Sequence, residues 1–491
     1  MTPKYALKLA AIVPALFCLT SVVLSQTKPE LIDSLLKVCV ANGQFNGSAL
    51  VAEDGTVIFK KGYGMANFDW GIPNAPDTKH RIASITKQFT ATLIMQLVEK
   101  NKIKVGEKIT TYLPDYRKDT GDKVTVHHLL THTSGIPNYT SLPGFWSDST
   151  RNPYSIEYLI KNFCSGDLEF EPGSKYNYCN SGYVLLGAII EKVTGKPYVQ
   201  MLEENILKPV GMKNSGIEDE SFILANRSYG YLKNAGQRVR DPYFRMQNAW
   251  AAGAMYSTVE DLYRWDQALY FDDKLLTRKS KSVYFAPHIE SGGGGFYAYG
   301  WGIAKYALGQ SPDSVTAIVH TGGLNGYNTI ILRVPETKDL VVLFNNSGPA
   351  PLGGMCKAIL GILHGKPFLP PKLGIVDTLM ATTVTEGVEA AVKRYGVLKS
   401  TAEEKYDFAE VQLNVLGYQL LALKRVKDAI RILQLNVELF PEAFNTYDSL
   451  GESYMIDGQK ELAIKNYAKS LELNPGNSGA ITMLKRIQEM K

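Results

Sequence analysis

Within the first 365 residues, the segments patterned as strands lie at the two ends, and the middle is patterned as helices and loops. "GSALVAEDGTVIFKKGYGMAN" (47–67) holds two strand-like runs around Asp54-Gly55, a strong hairpin signal. The other strand-like runs come late: "YAYGWGIAKYA" from Tyr297, then "SVTAIVHTGG", "NTIILRVP" and "LVVLFNNS", read as sequential antiparallel strands with turns at Gly and Asp. Strands at both ends imply one sheet assembled from terminal segments, with a helical insertion between about 105 and 290. "PELIDSLLKVCVANG" has helical spacing at Leu31, Leu35 and Val38 with a Gly at its end, and "LGGMCKAILGILHG" reads as a closing helix.

The Pro-rich break "KPFLPPKLG" (366–374) marks a boundary, and a repeat lies beyond it. Leu416-Gly417 recurs at Leu450-Gly451, Ala429 at Ala463 and Pro441 at Pro475, each 34 residues on. That period and those phases resemble tetratricopeptide repeats, paired helices that bury their faces by stacking. The expected organisation is a signal peptide at 1–25, a catalytic-type domain at 29–365, a linker with a partial helix pair at 366–404, and two repeats with a capping helix at 405–491.

The signal reading rests on "MTPKYALKLAAIVPALFCLTSVVLSQ": Lys4 and Lys8, an apolar run from Leu9 to Leu24, then small Ser25. It predicts export to the periplasm or outside the cell, with no stable membrane span after cleavage. Hydrophobic content of 45% with 21% charged residues describes a globular chain, and a net charge of +5 without a basic block excludes nucleic acid as an expected partner. Cys39, Cys164, Cys179 and Cys356 are widely spaced without a Cys-x-x-Cys pair, so free buried thiols are expected rather than a metal cage.

Chemistry enters at "RIASITKQFT" (81–90), where Ser84 precedes Lys87 by three residues at a helix start. The spacing occurs three times. Ser25–Lys28 belongs to the signal region, and Ser34–Lys37 is absorbed as helix surface. A serine is a poor nucleophile until a base takes its proton, and a lysine one turn on is such a base only if its pKa is lowered. Ser84 also has an ordinary reading, a hydroxyl capping the helix. Two later stretches supply companions: Tyr178-Cys179-Asn180 ahead of an apolar helix, and His320-Thr321-Gly322 ending a strand-like run.

In this order, Ser-x-x-Lys, Tyr-x-Asn and His-Thr-Gly resemble the penicillin-recognising serine hydrolases, in their class C β-lactamase, DD-peptidase and esterase branch. "LLTHTSGIP", "ILKPVGMKNSGI", "AAGAMYSTVEDLYRW" and "YGWGI" are similar to family segments in the family's order. The resemblance covers about residues 30 to 365. It implies an α/β (α+β) domain, a mainly antiparallel sheet backed by helices beside an all-helical region, with the site in the cleft between them and an all-α repeat domain following. It implies Ser84 as the acylated nucleophile, Lys87 as its proton partner, and Tyr178 as general base, as phenolate or through Lys87. Asn180 would donate to the substrate's acyl side, and the backbone N–H groups of Ser84 and Gly323 would form the oxyanion hole beside Thr321 and Gly322. No cofactor and no metal are implied. The partners expected are a small-molecule or peptide substrate and a protein bound by the repeats.

His320 stands where the β-lactamase pattern has Lys, near-neutral unless its pocket raises its pKa. That is more similar to esterase and D-aminopeptidase members than to efficient β-lactamases. His127, His128 and His132 are expected to be structural, Gly292–Gly295 to form a flexible loop, and Phe145 with Trp146 an apolar wall. A competing function is a non-catalytic binding scaffold with the repeats as its working surface.

Overall fold

The computed structural model describes residues 26–142, 145–146, 149–234 and 237–489; the signal reading at 1–25 falls outside them. Eight strands form one antiparallel sheet: β1 (Gly47–Glu53), β2 (Thr56–Tyr63), β3 (Ile289–Gly292), β4 (Gly295–Tyr297), β5 (Gly302–Ala307), β6 (Ser314–Leu324), β7 (Tyr327–Val334) and β8 (Asp339–Asn345). Their order is β3-β4-β5-β6-β7-β8-β1-β2. The two ends of the domain therefore meet at the β8–β1 pair, from Gly47 opposite Asn345 to Ala52 opposite Leu340.

The sequence pattern merges β4 and β5 into a single run, and the structure breaks it at Ala298–Trp301. It also adds the edge hairpin β3–β4. Gly292, Gly293 and Gly294 take φ of +94°, +60° and +74° at its turn, so the glycine run expected as a loop is a hairpin corner. "IESG" lacks the apolar alternation that marks the inner strands, which is why it does not read as a strand.

Strand β8 is buried throughout, and its residues divide between the two faces by the period of two. Val341 and Leu343 pack with Ile330, Leu332, Ile32 and Leu36 under helices α1 (Lys28–Ala41) and, later in the chain, Leu352–Leu363. Leu340, Val342 and Phe344 face the opposite way, into a core with α2 (Thr86–Glu99), α3 (Asn180–Thr194) and α4 (Val259–Tyr270). Helix α2 is buried from Thr86 through Leu97 because it lies between the sheet and the helical insertion. Arg333 of β7 ties α4 to the sheet through a buried ion pair with Asp266. Helix α5 (Leu352–Leu363) closes the domain.

Seven helices follow: α6 (Val376–Glu386), α7 (Val388–Thr401), α8 (Glu410–Ala422), α9 (Val426–Leu439), α10 (Phe444–Ile456), α11 (Lys460–Leu473) and α12 (Ser478–Glu489). Gly417 sits against Leu433, where a Cβ would fall 2.7 Å from its side chain, and, 34 residues on, Gly451 sits against Tyr467, where it would fall at a tight 3.1 Å. The region 366–404, expected as a linker with part of a helix pair, holds both α6 and α7, which share a core with α8 and α9. The four cysteines beyond residue 25 are free and buried. Among the described residues no helix is long and apolar enough to cross a membrane.

Candidate active site

Ser84 lies in a 3-10 turn, Ala83–Ile85, immediately ahead of α2. Its hydroxyl caps no backbone N–H; Ile85 occupies the α2 cap position with no side-chain bond. Ala83 holds φ +46°, a left-handed conformation costing a non-glycine residue roughly 1–2 kcal/mol. Such strain persists where surrounding packing dictates it, and here it presents Ser84 at the mouth of the cleft, partly exposed.

One turn on, the fully buried Lys87 places its Nζ 3.0 Å from Ser84 Oγ, 2.8 Å from Asn180 Oδ1 and 2.7 Å from the Ala252 carbonyl. Burial pushes its pKa down to about 7. The partners complete the argument. The Asn180 and Ala252 oxygens can only accept, so a neutral amine spends its two hydrogens on them and turns its lone pair to the Ser84 hydroxyl. Ala252 had no signal in a side-chain reading, because its contribution is a backbone carbonyl.

Asn180 opens α3, and its amide is tightly held. Its Nδ2 donates to Thr140 Oγ1 (2.9 Å), and its backbone N–H donates to Asn138 Oδ1 (3.0 Å). One amide hydrogen thus remains for a substrate. Trp146 flanks this point: half exposed, it donates from Nε1 to the Thr140 carbonyl (2.7 Å) and lies 5.5 Å from the Phe244 ring. Phe145, expected beside it on the wall, is instead buried against Tyr139.

Tyr178 approaches Ser84 from the other side, near enough for the Ser84 hydroxyl to act on its acidity, with its ring 4.9 Å from Lys87 Nζ. Burial raises its pKa above the ordinary phenol value. At neutral pH it is therefore a protonated phenol rather than the phenolate expected as one alternative.

The third motif lies on β6. Pairing with β5 ends at Val319, whereas pairing with β7 continues to Leu324. Beyond Val319 one edge of β6 is therefore open, and outward peptide groups there are free to meet a ligand. Thr321 and Gly323 are exposed, and a Cβ on Gly323 would meet open space. Gly322 is the reverse. A Cβ there would fall 2.1 Å from the Ile82 carbonyl, so only glycine lets β6 lie against the turn that carries Ser84.

His320 is buried, and burial first and the Lys87 charge second push its pKa down to about 3. The third motif therefore carries no positive charge at neutral pH. Of the three histidines expected to be structural, His127 meets Tyr299 and His128 accepts from the Thr125 N–H. His132 joins the site, its ring 4.3 Å from that of Tyr178.

Comparison with known proteins agrees with this geometry. The family model described as Beta-lactamase matches residues 32–360. Penicillin-binding protein 4* of Bacillus subtilis (strain 168) is 27% identical over 474 residues, covering 90% of this chain and all of that one. The octameric penicillin-binding protein homologue from Pyrococcus abyssi superposes with a TM-score of 0.60 at 29% identity, over 68% of this chain and 77% of that one. The D-amino acid amidase from Ochrobactrum anthropi SV3 superposes with a TM-score of 0.58 at 28% identity, over 68% and 97%. A match that runs from α1 into α5, with the cleft between them, means that this chain belongs to the Beta-lactamase family and so to the penicillin-binding-protein-like serine hydrolases.

Proposed function

We propose that the protein is an exported hydrolase that forms an acyl-enzyme at Ser84 with an ester, an amide or a D-amino-acid peptide. The observation that carries this is the Lys87 amine, desolvated and hydrogen bonded so that its lone pair meets Ser84 Oγ. Ser84 Oγ attacks the substrate carbonyl and its proton passes to Lys87. The N–H groups of Ser84 and Gly323 hold the oxyanion, where one such donor is typically worth about two to three orders of magnitude in rate. The Tyr178 phenol gives its proton to the departing oxygen or nitrogen, and the proton taken up by Lys87 restores it. A water then attacks the acyl carbon and Ser84 leaves, with the same groups reversing their parts.

The neutral His320 disfavours substrates that need a cation at the third motif, and so favours simple esters and amides over carboxylate-bearing β-lactams. Incubation with nitrophenyl esters, D-amino-acid amides and nitrocefin tests this. Turnover of the first two, lost in Ser84→Ala together with the acyl adduct seen by mass spectrometry, is the expected result. If every substrate stays intact and no adduct forms, the reading fails.

The equivalent Gly417–Leu433 and Gly451–Tyr467 contacts support a tetratricopeptide-type array in the C-terminal helices, a surface suited to recruiting a protein partner. Capture of a partner that depends on residues 405–491 and is indifferent to Ser84→Ala is the expected signature.

A further inference from the structure

Tyr297 stands between two imidazoles, and the group at each end of the series is backbone. The Cys179 N–H donates to His132 Nδ1 at 3.0 Å. His132 Nε2 lies 3.1 Å from Tyr297 Oη, and Tyr297 Oη lies 3.0 Å from His320 Nε2. His320 Nδ1 lies 2.7 Å from the Thr321 carbonyl oxygen. A peptide N–H can only donate, so His132 Nδ1 must carry its lone pair and Nε2 its proton. A carbonyl can only accept, so His320 Nδ1 must carry its proton and Nε2 its lone pair. Tyr297 then accepts from His132 and donates to His320. Every proton in the series is thereby placed; adding one to His132 opposes a donor to the fixed Cys179 N–H, and adding one to His320 takes away the acceptor of the Tyr297 hydroxyl.

We propose that His132 and Tyr297 are positioning residues that hold His320 as its neutral Nδ1–H tautomer and bind the Tyr178–Cys179 segment to the third motif. With both ring nitrogens committed, His320 has no donor or acceptor left for a substrate. It sets the place of the β6 end, and the groups that face a ligand there are the Thr321 hydroxyl and the open strand edge. The series links two of the three motifs across the cleft: Cys179 lies between Tyr178 and Asn180, and Thr321 follows His320.

The surroundings favour uncharged rings. The groups facing them are the Lys87 amine, the Tyr178 ring at 4.3 Å and the Tyr183 ring at 5.1 Å from His132, and the Tyr176 ring at 5.9 Å from His132 and 5.6 Å from Tyr297. The Tyr183 hydroxyl is itself donated to the Leu130 carbonyl. None of these is an anion, so no opposite charge nearby stabilises an imidazolium, and burial outweighs the Thr321 carbonyl bond that favours one at His320. His132 also holds φ +59°, a conformation that needs support from such fixed contacts.

The proposal concerns the ground state of the protein, and only its kinetic arm rests on the Ser84 reading. The test is two-bond 15N–1H correlation spectroscopy of the full chain with labelled histidine, with single His→Gln variants giving the assignments. The expected result is the Nε2–H tautomer for His132 and the Nδ1–H tautomer for His320, both unchanged from about pH 8 to about pH 5, across the range where a free imidazole titrates. In Tyr297→Phe the His320 Nε2 signal should move to that of an unbonded lone pair while the Thr321 carbonyl keeps Nδ1–H in place, and kcat on the best substrate should fall on the order of tenfold, the loss expected from one hydrogen bond. His132→Gln, whose amide can donate to Tyr297 in place of the ring, should keep the His320 tautomer. An Nε2–H tautomer at His320 in the wild type overturns the proposal, whether or not any substrate turns over. Should Tyr297→Phe not fold, the wild-type tautomers decide the matter. A His320 signal displaced in His132→Gln removes His132 from the role.

Discussion

Lys87 meets two opposed demands. Its three polar neighbours could satisfy an ammonium, but full burial penalises the charge, and burial prevails enough to bring the pKa down to about 7. The sign for activity follows. Below about pH 7 the amine takes up a proton and can no longer receive one from Ser84, so kcat/KM should fall about tenfold per pH unit on the acid side and level off above it. A pH profile of kcat/KM on an ester whose leaving group does not titrate in that range checks this; an acid limb centred several units lower would remove Lys87 as the base. Asn180 offers a second test. Asn180→Ala deletes the Oδ1 acceptor at 2.8 Å and frees the amine to rotate away from Ser84. A loss of about 10- to 100-fold in kcat, read by steady-state kinetics, matches one hydrogen bond to a charged or strongly polarised group. The spacing of Ser84 and Lys87 was legible because a helix turns local sequence into a shared face. The parts of Ala252, Thr140 and Tyr297 were not, since these residues reach the site only through tertiary packing and nothing in the patterns around them marks a role.

Strand β6 and the turn carrying Ser84 come from segments more than 200 residues apart in sequence, and their contact depends on Gly322. Gly322→Ala places a Cβ 2.1 Å from the Ile82 carbonyl oxygen and 2.3 Å from Thr329 Oγ1; the hydroxyl can rotate, but the carbonyl cannot yield without moving its turn. The expected cost is about 1–3 kcal/mol of stability, as for other overpacked sites. The loss of activity should be larger than that cost implies, because the N–H groups of Ser84 and Gly323, proposed to hold the oxyanion, are pushed apart. Thermal melts and kinetics on the same preparation separate the two effects: a normal Tm with normal kcat would show that β6 tolerates the shift. The inner strands were legible from continuous apolar runs, the mark of strands buried on both faces. The edge hairpin was not, because an edge strand exposed on one side needs no such pattern, and the glycines at its corner read as a loop.

At the scale of the whole molecule, the apolar cores divide at the Pro-rich segment. The cores on the two faces of the sheet take their buried residues from 32–363, and the C-terminal cores take theirs from 375–487. Polar contacts bridge the parts: Gln44 Nε2 donates to the Lys372 carbonyl at 2.8 Å, and Lys233 pairs with Asp377 at 2.8 Å, partly exposed. Contacts of that kind couple weakly. Calorimetry should therefore resolve two transitions, with the C-terminal one shifted by Leu433→Ala and the other left in place; a single transition moved as a whole by that substitution would show the cores to be one cooperative unit. The sequence by itself determined that the sheet is built from both ends of its domain, that a boundary falls near 366–374, and that Ser84, Lys87, Tyr178 and His320 belong together. The first two follow from periodicity and turn signals, which are local properties of a chain, and the grouping of the four residues follows from the resemblance of their motifs to those of a known family. Only the tertiary structure decided that Lys87 is desolvated, that Tyr178 stays protonated, and that His320 turns both nitrogens inward. Protonation and hydrogen-bond direction depend on burial and on which groups arrive from distant segments, and neither quantity exists until the chain has folded.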